Sequence, residues 1–361
     1  MTTMTTVMAY SGTRAEAARL MPVLAALRVS GLRTIHLHPA GNSTAASIGE
    51  LFGIDDRRAL DLKGSGHRRT AALRTVLAEY APDAMLIHPA TQDSRTTGRT
   101  AHQEGIPVVS IDSWPTAHKA GTADLYLESH ELHRRHLIES GAPGSAVSTI
   151  GSTTTDCFLR GISQAQIDSD QRRARAVTPQ LRQAFRSGRQ LDFLVAQRFE
   201  GLRAKQLSRC LQEFTRAQEA RTVVFSIDHP VLARRVRAGV EAPNLVVTGA
   251  LDYQDYCRVL ARSTAVTTDV PSIQRDALTL GKRITPILES PALLSLGNSR
   301  SRRRKQSQDI AEPQSGDGLA ALRAASAINK FLGWKPAAQP HPVTALASQA
   351  APVRELQQAA C

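Results

Sequence analysis

The stretch YSGTRAEAARLMPVLAALR, Tyr10–Arg28, follows the short apolar run Val7–Ala9. An apolar run, a glycine and a helical pattern in that order predict a strand, a tight turn and a helix. Gly12 lies in the turn, and Arg14 and Arg19 lie in the helix that follows. Free backbone N–H groups at a helix N-terminus, with cations beside them, are typical of a phosphate site. A surface ion pair is the alternative role for Arg14.

Strand-like and helix-like segments alternate along both halves of the chain. The further strands predicted in the first half are Thr34–Leu37, Ala84–His88, Pro107–Ile111, Leu125–Leu127 and Val147–Ile150. The strands predicted in the second half are Leu191–Ala196, Thr222–Ile227, Asn244–Val247, Ala265–Thr268 and Arg283–Leu288. Helical patterns such as Arg69–Tyr80 and Glu131–Gly141 lie between them. This alternation predicts an α/β fold with two doubly wound parallel sheets.

The two predicted sheets suggest two Rossmann-like domains. A polar stretch with weak apolar spacing, Gly161 to Gln190, fits a hinge between them. The predicted segments are an N-terminal domain at 1–165, a C-terminal nucleotide-binding domain at 166–298, a flexible basic loop at 299–317, a helix at 318–334 and a disordered tail at 335–361. Two such sheets facing each other would form a ligand cleft between the carboxyl ends of their strands.

The bulk composition limits the class of protein. With 361 residues, of which 42% are hydrophobic, the chain can bury the cores of two domains. It has no run of about 18 apolar residues for a membrane span, and it begins without the pattern of a signal peptide. Its widely spaced cysteines, without a CxxC pair, indicate reduced thiols in a cytoplasmic protein and no metal site.

The net charge of +13 raises the question of a nucleic-acid partner. A dense basic segment, NSRSRRRKQSQ, contains Arg300, Arg302, Arg303, Arg304 and Lys305 and is too polar to pack in a core. A solvated loop is the simpler interpretation, and a contact with phosphate or nucleic acid is the alternative. Because only 4% of the residues are aromatic, few side chains can stack on bases, and a nucleic-acid partner is not expected.

Several short blocks resemble a known family. GTRAEAARLMPVLAALR is similar to the GTRPEAIKLAPVI opening of the non-hydrolysing UDP-N-acetylglucosamine 2-epimerases. The further blocks, in the family's order, are ELFGID, EGIPVVSID, TIGSTTTD, LVAQRFEG, LDYQDY and TDVPSIQRDALTLGKRI. Together they extend over nearly all of residues 5–290. The resemblance implies two Rossmann-like domains in the GT-B arrangement.

The resemblance also implies a reaction. Members of that family eliminate UDP across C1 and C2 of the sugar and add it back with C2 inverted. The reaction needs a base for the C2 proton, an acid on the other face and a group that holds the departing diphosphate. We therefore expect a UDP-amino sugar as substrate, no cofactor, a homodimer and a place in an aminosugar or antibiotic pathway.

The positions that would transfer protons have changed. HPAT, which begins at His88, stands where the family has HGDTTT, so Ala90 replaces a carboxylate. SIDSWPT places Asp112 at the glutamate of HVEAGLR, and the loop with a second glutamate is missing. Gln197 stands at the histidine of AHRREN and cannot act as an acid near neutral pH. The resemblance leaves Asp112 as the predicted base, His88 as its assistant and Gln197 as a group that can bind phosphate.

The predicted substrate-binding residues occupy both domains. Arg14 and Arg19 bring positive charge to a predicted phosphate site, and Arg198 is a further predicted substrate-binding residue. TDVPSIQRD replaces TDSGGIQEE, so Pro271 removes one backbone donor, while Ser272 can cap the helix or bind an oxygen. Asp276 keeps an acid where the family contacts ribose, and Tyr256 falls where the family has an aromatic residue beside uracil.

Each assignment has a structural alternative. Asp112 could cap a loop or helix, and His88 could be a half-buried histidine with satisfied nitrogens. Asp93 could replace the lost carboxylate or could lie in a solvated turn. The histidines at 130, 133 and 136 have the spacing of helix neighbours but share a polar face, so no metal site is expected.

Three classes of function stay open at this point. The first is an epimerase of a UDP-amino sugar with a rebuilt set of acids and bases. The second is another GT-B reaction, such as glycosyl transfer or hydrolysis, which needs no proton removal at C2. The third is a nucleotide-sugar-binding or partner subunit without catalysis, which the loss of polar catalytic positions favours.

Overall fold

The computed structural model describes residues 4–41, 43–61, 66–113, 123–170, 179–195, 204–227, 229–287 and 316–334. These residues form two compact units. The first unit contains the residues up to Gly161 and those from Gly316 onwards, and the second contains Ile162 to Ile287. The boundary predicted after residue 165 and this division fall in the same helix, Thr153–Asp170.

The first unit is built on a parallel sheet of seven strands. These are β1 (Thr6–Tyr10), β2 (Arg33–Pro39), β3 (Arg57–Leu60), β4 (Ala84–Ile87), β5 (Val108–Ile111), β6 (Leu125–Glu128) and β7 (Val147–Thr149). Their order is β3-β2-β1-β4-β5-β6-β7, and all neighbours are parallel. The helices between them are α1 (Arg14–Val29), α2 (Ser43–Leu51), α3 (Gly66–Tyr80), α4 (Gln92–Gln103), α5 (Glu131–Glu139) and α6 (Thr153–Asp170).

The second unit repeats this scheme with five strands. These are β8 (Leu191–Val195), β9 (Thr222–Ser226), β10 (Leu245–Thr248), β11 (Ser263–Thr268) and β12 (Arg283–Thr285). Their order is β10-β9-β8-β11-β12, again parallel throughout. The helices are α7 (Pro179–Arg186), α8 (Ala204–Arg216), α9 (Pro230–Gly239), α10 (Tyr253–Arg262) and α11 (Pro271–Thr279).

The last described helix, α12 (Ala320–Phe331), packs on the first unit. Asp156 of α6 accepts a hydrogen bond from the N–H of Ala321 at 2.7 Å, which satisfies one of the open backbone donors at the start of α12. After the helix ends, the Trp334 indole donates to the carbonyl of Ser30 at 3.1 Å. The segment 316–334 is thereby attached to α6 near its start and to the end of α1 at Trp334.

The strand sequences explain why the sheets are parallel and buried. Every residue of β1, β4, β5 and β6 is buried, as expected where helices cover both faces of a sheet. The predicted α/β fold with two doubly wound sheets is therefore confirmed. The strand β3 was not predicted, because it lies at the edge of the sheet and reads RRAL, with only its last residue buried.

Some predicted features lie outside the described residues. They are the part of the basic loop at 299–315, the tail at 335–361, and the two candidate site residues Gln197 and Arg198. Within the described part of the chain, no helix has the length and apolar character needed to cross a membrane.

Candidate functional site

The order of each sheet reverses at one point, and ligands of doubly wound folds bind beside the carboxyl ends of the strands there. In the first unit the reversal lies between β1 and β4, and in the second it lies between β8 and β11. Three of the residues predicted from the sequence lie at the turns that follow these strands or in the first turn of the next helix: Arg14, His88 and Ser272.

The turn between β1 and α1 is closed by a side-chain cap. Thr13 is the N-cap of α1, and its hydroxyl accepts a hydrogen bond from the N–H of Glu16 at 3.2 Å. In return, Oε2 of Glu16 accepts from the N–H of Gly12 at 2.7 Å. This reciprocal exchange resembles a capping box displaced by one residue and fixes the start of the helix. Arg14, the first residue of α1, is partly exposed at that end.

Glu16 also joins this turn to the next strand of the sheet. The side chain is fully buried, and its Oε1 accepts hydrogen bonds from the hydroxyls of Thr91, at 2.9 Å, and Ser94. Thr91 is itself the N-cap of α4. One buried carboxylate therefore holds the starts of α1 and α4 together. The sequence analysis missed this residue, although a glutamate three positions after an N-cap threonine is a recognisable signal.

His88 follows β4 and is 7% exposed. Its Nδ1 lies 2.8 Å from the carbonyl oxygen of Ile111, and since a carbonyl only accepts, Nδ1 carries the proton. Burial, followed by the positive charge of Arg19, lowers the pKa of His88, so the ring is neutral at neutral pH. Nε2 has no hydrogen-bond partner among the described residues, and its lone pair is available to accept a proton.

Asp112 follows β5 and adopts a left-handed backbone conformation with φ of 51°. Its Oδ1 accepts from the N–H of Ser129 at 3.0 Å, and its Oδ2 accepts from Nε of Arg19 at 3.1 Å. The side chains of Asp112 and Arg19 are 13% and 23% exposed, so both reach the surface of the site. The structure thus brings together Arg19, His88 and Asp112. Arg19, predicted to bind phosphate, pairs with the predicted base in this structure.

The remaining candidates of the first unit are more exposed. Asp93, considered as a replacement carboxylate, pairs with Arg69 at 3.2 Å, and both side chains are about 40% exposed. The rings of His130 and His133 lie 5.2 Å apart in a T-shaped contact. The described residues contain no group of three or more His, Cys, Asp or Glu side chains placed to hold a metal ion.

The second unit places Tyr256 and Asp276 in direct contact. The Tyr256 hydroxyl donates to Oδ2 of Asp276 at 2.6 Å, which joins α10 to α11. Tyr256 is 3% exposed and packs against Phe193 and Tyr253. The two residues predicted to contact uracil and ribose are therefore neighbours, with the tyrosine ring inside the core.

Of the two roles predicted for Ser272, capping of α11 is not found in the structure. The N-cap is Val270, with no side-chain cap, so Ser272 is the second residue of the helix and does not cap it. Ser272 is exposed there, beside Pro271. The β11–α11 turn is instead fixed by Thr268, whose hydroxyl accepts from the N–H of Val270 at 3.1 Å. This leaves Ser272 accessible to a ligand.

Comparison with known proteins places this geometry in a family. A family model described as UDP-N-acetylglucosamine 2-epimerase matches residues 119–312. A curated relative from Ralstonia nicotianae, named "Probable UDP-N-acetylglucosamine 2-epimerase", is 24% identical over 322 residues, which cover 77% of this chain and 80% of the relative.

Solved structures show the same fold. The S. aureus MnaA–UDP co-structure has a TM-score of 0.69 and 16% identity, and the match covers 92% of this chain and 98% of that one. The UDP-GlcNAc 2-epimerase from Neisseria meningitidis bound to UDP-GlcNAc has a TM-score of 0.64 and 18% identity, with coverage of 90% and 100%. Since the family model matches more than half of the 361 residues, this chain belongs to the UDP-N-acetylglucosamine 2-epimerase family.

Proposed function

We propose that this protein interconverts UDP-N-acetylglucosamine and UDP-N-acetylmannosamine, or a related pair of UDP-amino sugars, by elimination and re-addition of UDP. Family membership supports the reaction class. The observation that carries the proposal is the cluster of Arg19, His88 and Asp112 beside the reversal point of the first sheet. Two titratable groups, His88 and Asp112, are thus present at this edge of the first sheet, although Ala90 stands where the family has a carboxylate.

The reaction requires a proton to leave C2 and a proton to return on the opposite face. In the elimination, the C2–H electron pair forms the C1=C2 double bond, and the C1–O bond breaks with its electron pair on the UDP oxygen. Re-addition joins that oxygen to C1 again and protonates C2. Two groups on opposite faces are needed for inversion.

Asp112 and His88 are the two groups that we assign to this proton transfer. A carboxylate oxygen has more than one acceptor site, so Asp112 can accept a proton while Ser129 and Arg19 hold its position. His88 is neutral and oriented by the Ile111 carbonyl, so Nε2 is the ring atom that collects and returns a proton. The pair must hold one proton at the start of each conversion. In one direction neutral His88 takes the C2 proton at Nε2 and a protonated Asp112 carboxyl returns its proton on the other face, and in the reverse direction the Asp112 carboxylate takes the proton and the protonated Nε2 of His88 returns one.

The departing diphosphate needs positive charge and free donors. In the first unit, Arg14 is the first residue of α1 and adds its charge to the positive end of the helix dipole. In the second unit, α11 begins without a side-chain cap, and Ser272 is exposed in its first turn. These features support nucleotide binding, with Tyr256 and Asp276 as the further candidates in that unit.

The test is the conversion of UDP-GlcNAc by the parent protein and by Asp112→Asn, followed by proton NMR. Asparagine keeps an acceptor for Ser129 and tolerates the left-handed conformation, but it is not a base. We expect the rate to fall by on the order of 10² or more, with nearly unchanged UDP affinity in calorimetry. Asp55→Asn, whose side chain is 94% exposed, is the matched control and should behave like the parent. An Asp112→Asn variant as fast as the parent would contradict the assignment.

Three wider points stay predictions. They are the homodimer, the cytoplasmic location and the place in an aminosugar or antibiotic pathway. The buried free thiols of Cys157, Cys210 and Cys257 support a reducing compartment. A nucleic-acid partner is still not expected.

A further inference from the structure

Two carboxylates at neighbouring strand ends exchange hydrogen bonds with each other's backbone. Glu128 is the last residue of β6, and Asp112 follows β5, which pairs with β6 in parallel. Oε1 of Glu128 accepts from the N–H of Ser113 at 2.8 Å, and Oδ1 of Asp112 accepts from the N–H of Ser129 at 3.0 Å. Each side chain therefore binds the amide that follows the other carboxylate in the chain. We call these four residues the β5–β6 clasp.

The clasp includes a residue in the left-handed backbone conformation. Asp112 has a positive φ of 51°, a conformation that non-glycine residues adopt at a cost and that persists only when the surroundings hold it. The N–H of Asp112 donates to the Leu127 carbonyl at 2.9 Å, so the chain continues the β5–β6 pairing up to this residue. The next residue, Ser113, is fully buried, and its amide meets the carboxylate of Glu128.

Placing Glu128 at this position has a high desolvation cost. Its side chain is fully buried, and burying a carboxylate is unfavourable unless hydrogen bonds compensate. Among the described residues, His133 of α5 faces it, with Nδ1 3.9 Å from Oε2. An apolar residue would fill a strand position at lower cost, but it would leave the buried amide of Ser113 without this acceptor.

We propose that Glu128 is a positioning residue, which holds Asp112 in the left-handed conformation that places its carboxylate against Arg19 and near His88. The inference rests on the proposed function, because only the epimerisation needs Asp112 at that place. Glu128 acts through the Ser113 amide, and its complete burial keeps it from the sugar. Its contribution is to the geometry of the reacting group, for which a displacement of about 1 Å can cost a factor of about 10² in rate.

Two substitutions distinguish the effect of the length of the Glu128 side chain from the effect of its charge. Glu128→Gln keeps the length and an acceptor for the Ser113 amide but removes the charge. Glu128→Asp keeps the charge but is one methylene shorter, so it does not reach that amide. For Glu128→Asp we expect kcat for UDP-GlcNAc epimerisation to fall by roughly tenfold to a hundredfold, with KM within about twofold. For Glu128→Gln we expect kcat within about threefold of the parent, since the hydrogen bond is kept.

Amide hydrogen exchange provides the readout that needs no turnover. The Ser113 amide should exchange at least about tenfold faster in Glu128→Asp than in the parent, and it should stay protected in Glu128→Gln. Glu139→Asp, on the exposed face of α5, is the matched control and should change neither measurement.

The opposite pattern, with Glu128→Asp active and Glu128→Gln inactive, would show that the charge is what matters and would overturn the proposal. Unchanged kcat and unchanged Ser113 protection in both variants would overturn it as well. If the parent itself does not epimerise UDP-GlcNAc, the proposed function fails, whereas the Ser113 exchange rates still show whether Glu128 holds the strand ends together.

Discussion

His36 should govern part of the acid stability of the first unit. It is fully buried in β2, with Nε2 2.7 Å from the hydroxyl of Ser11. Burial, followed by the charges of His38 and Arg57, lowers its pKa to about 3. In the unfolded chain a histidine titrates near 6.5, so between these pH values the unfolded state binds a proton that the folded state does not. Stability from this group is therefore complete above about pH 6.5 and is lost as the pH falls towards 3.

The size of the effect follows from the same two pKa values. At about 1.4 kcal/mol per unit of pH, His36 should reduce the free energy of unfolding by about 2 kcal/mol between pH 7 and pH 5. His36→Gln removes the titration and keeps a partner for the Ser11 hydroxyl. The parent should therefore lose about 2 kcal/mol more than the variant over this interval.

Urea unfolding at the two pH values measures this difference. Tryptophan fluorescence reports the first unit through Trp334, whose indole donates to the carbonyl of Ser30. The control is His102→Gln, since the His102 side chain is 59% exposed, and it should follow the parent. Equal pH dependence in His36→Gln and the parent would refute the reasoning that His36 stays neutral in the folded state.

Two further predictions concern the same unit. A Cβ on Gly98 in α4 would lie 2.6 Å from Cδ1 of Ile87, a side-chain end that must shift within the core, whereas a Cβ on Gly66 meets nothing within 4 Å. Because alanine favours a helix over glycine by up to about 1 kcal/mol in both variants, the expectation is a difference: Gly98→Ala should be less stable than Gly66→Ala by about 1–3 kcal/mol in urea unfolding. Burial raises the pKa of Asp156 to about 6, so the folded state binds the extra proton and stability should fall by about 2 kcal/mol as the pH rises from 4 to 7. Asp156→Asn should lack this fall, and a variant with the same pH dependence as the parent would contradict the prediction.

The fold could be predicted because its central strands are buried on both faces. Such strands appear in the sequence as short apolar runs, and every predicted run corresponds to a strand of the structure. One strand was not predicted: β3 (Arg57–Leu60) is an edge strand that is mostly polar and has no such apolar run. Its place is set by parallel pairing with β2, a contact that no local pattern encodes.

The site could be predicted in part for a related reason. Residues at strand ends meet at one edge of a parallel sheet, which brings together His88 and Asp112. The contacts of the charged side chains could not be predicted, because they join residues far apart in the chain. Arg19 and Asp112 are 93 residues apart, and nothing in the sequence around either one specifies the other. Glu16 likewise accepts hydrogen bonds from Thr91 and Ser94, which lie 75 and 78 residues further along the chain.

The central claim is that His88 and Asp112 transfer the C2 proton of a UDP-amino sugar. The most direct measurement is proton NMR of UDP-GlcNAc incubated with the protein in heavy water. We expect the C2 proton signal to disappear as deuterium replaces it, with UDP-ManNAc formed alongside, and His88→Gln should slow this exchange by on the order of 10². A C2 signal that persists after prolonged incubation, while calorimetry still shows UDP bound, would contradict the claim. Free UDP released without deuterium at C2 would contradict it too and would indicate hydrolysis or transfer.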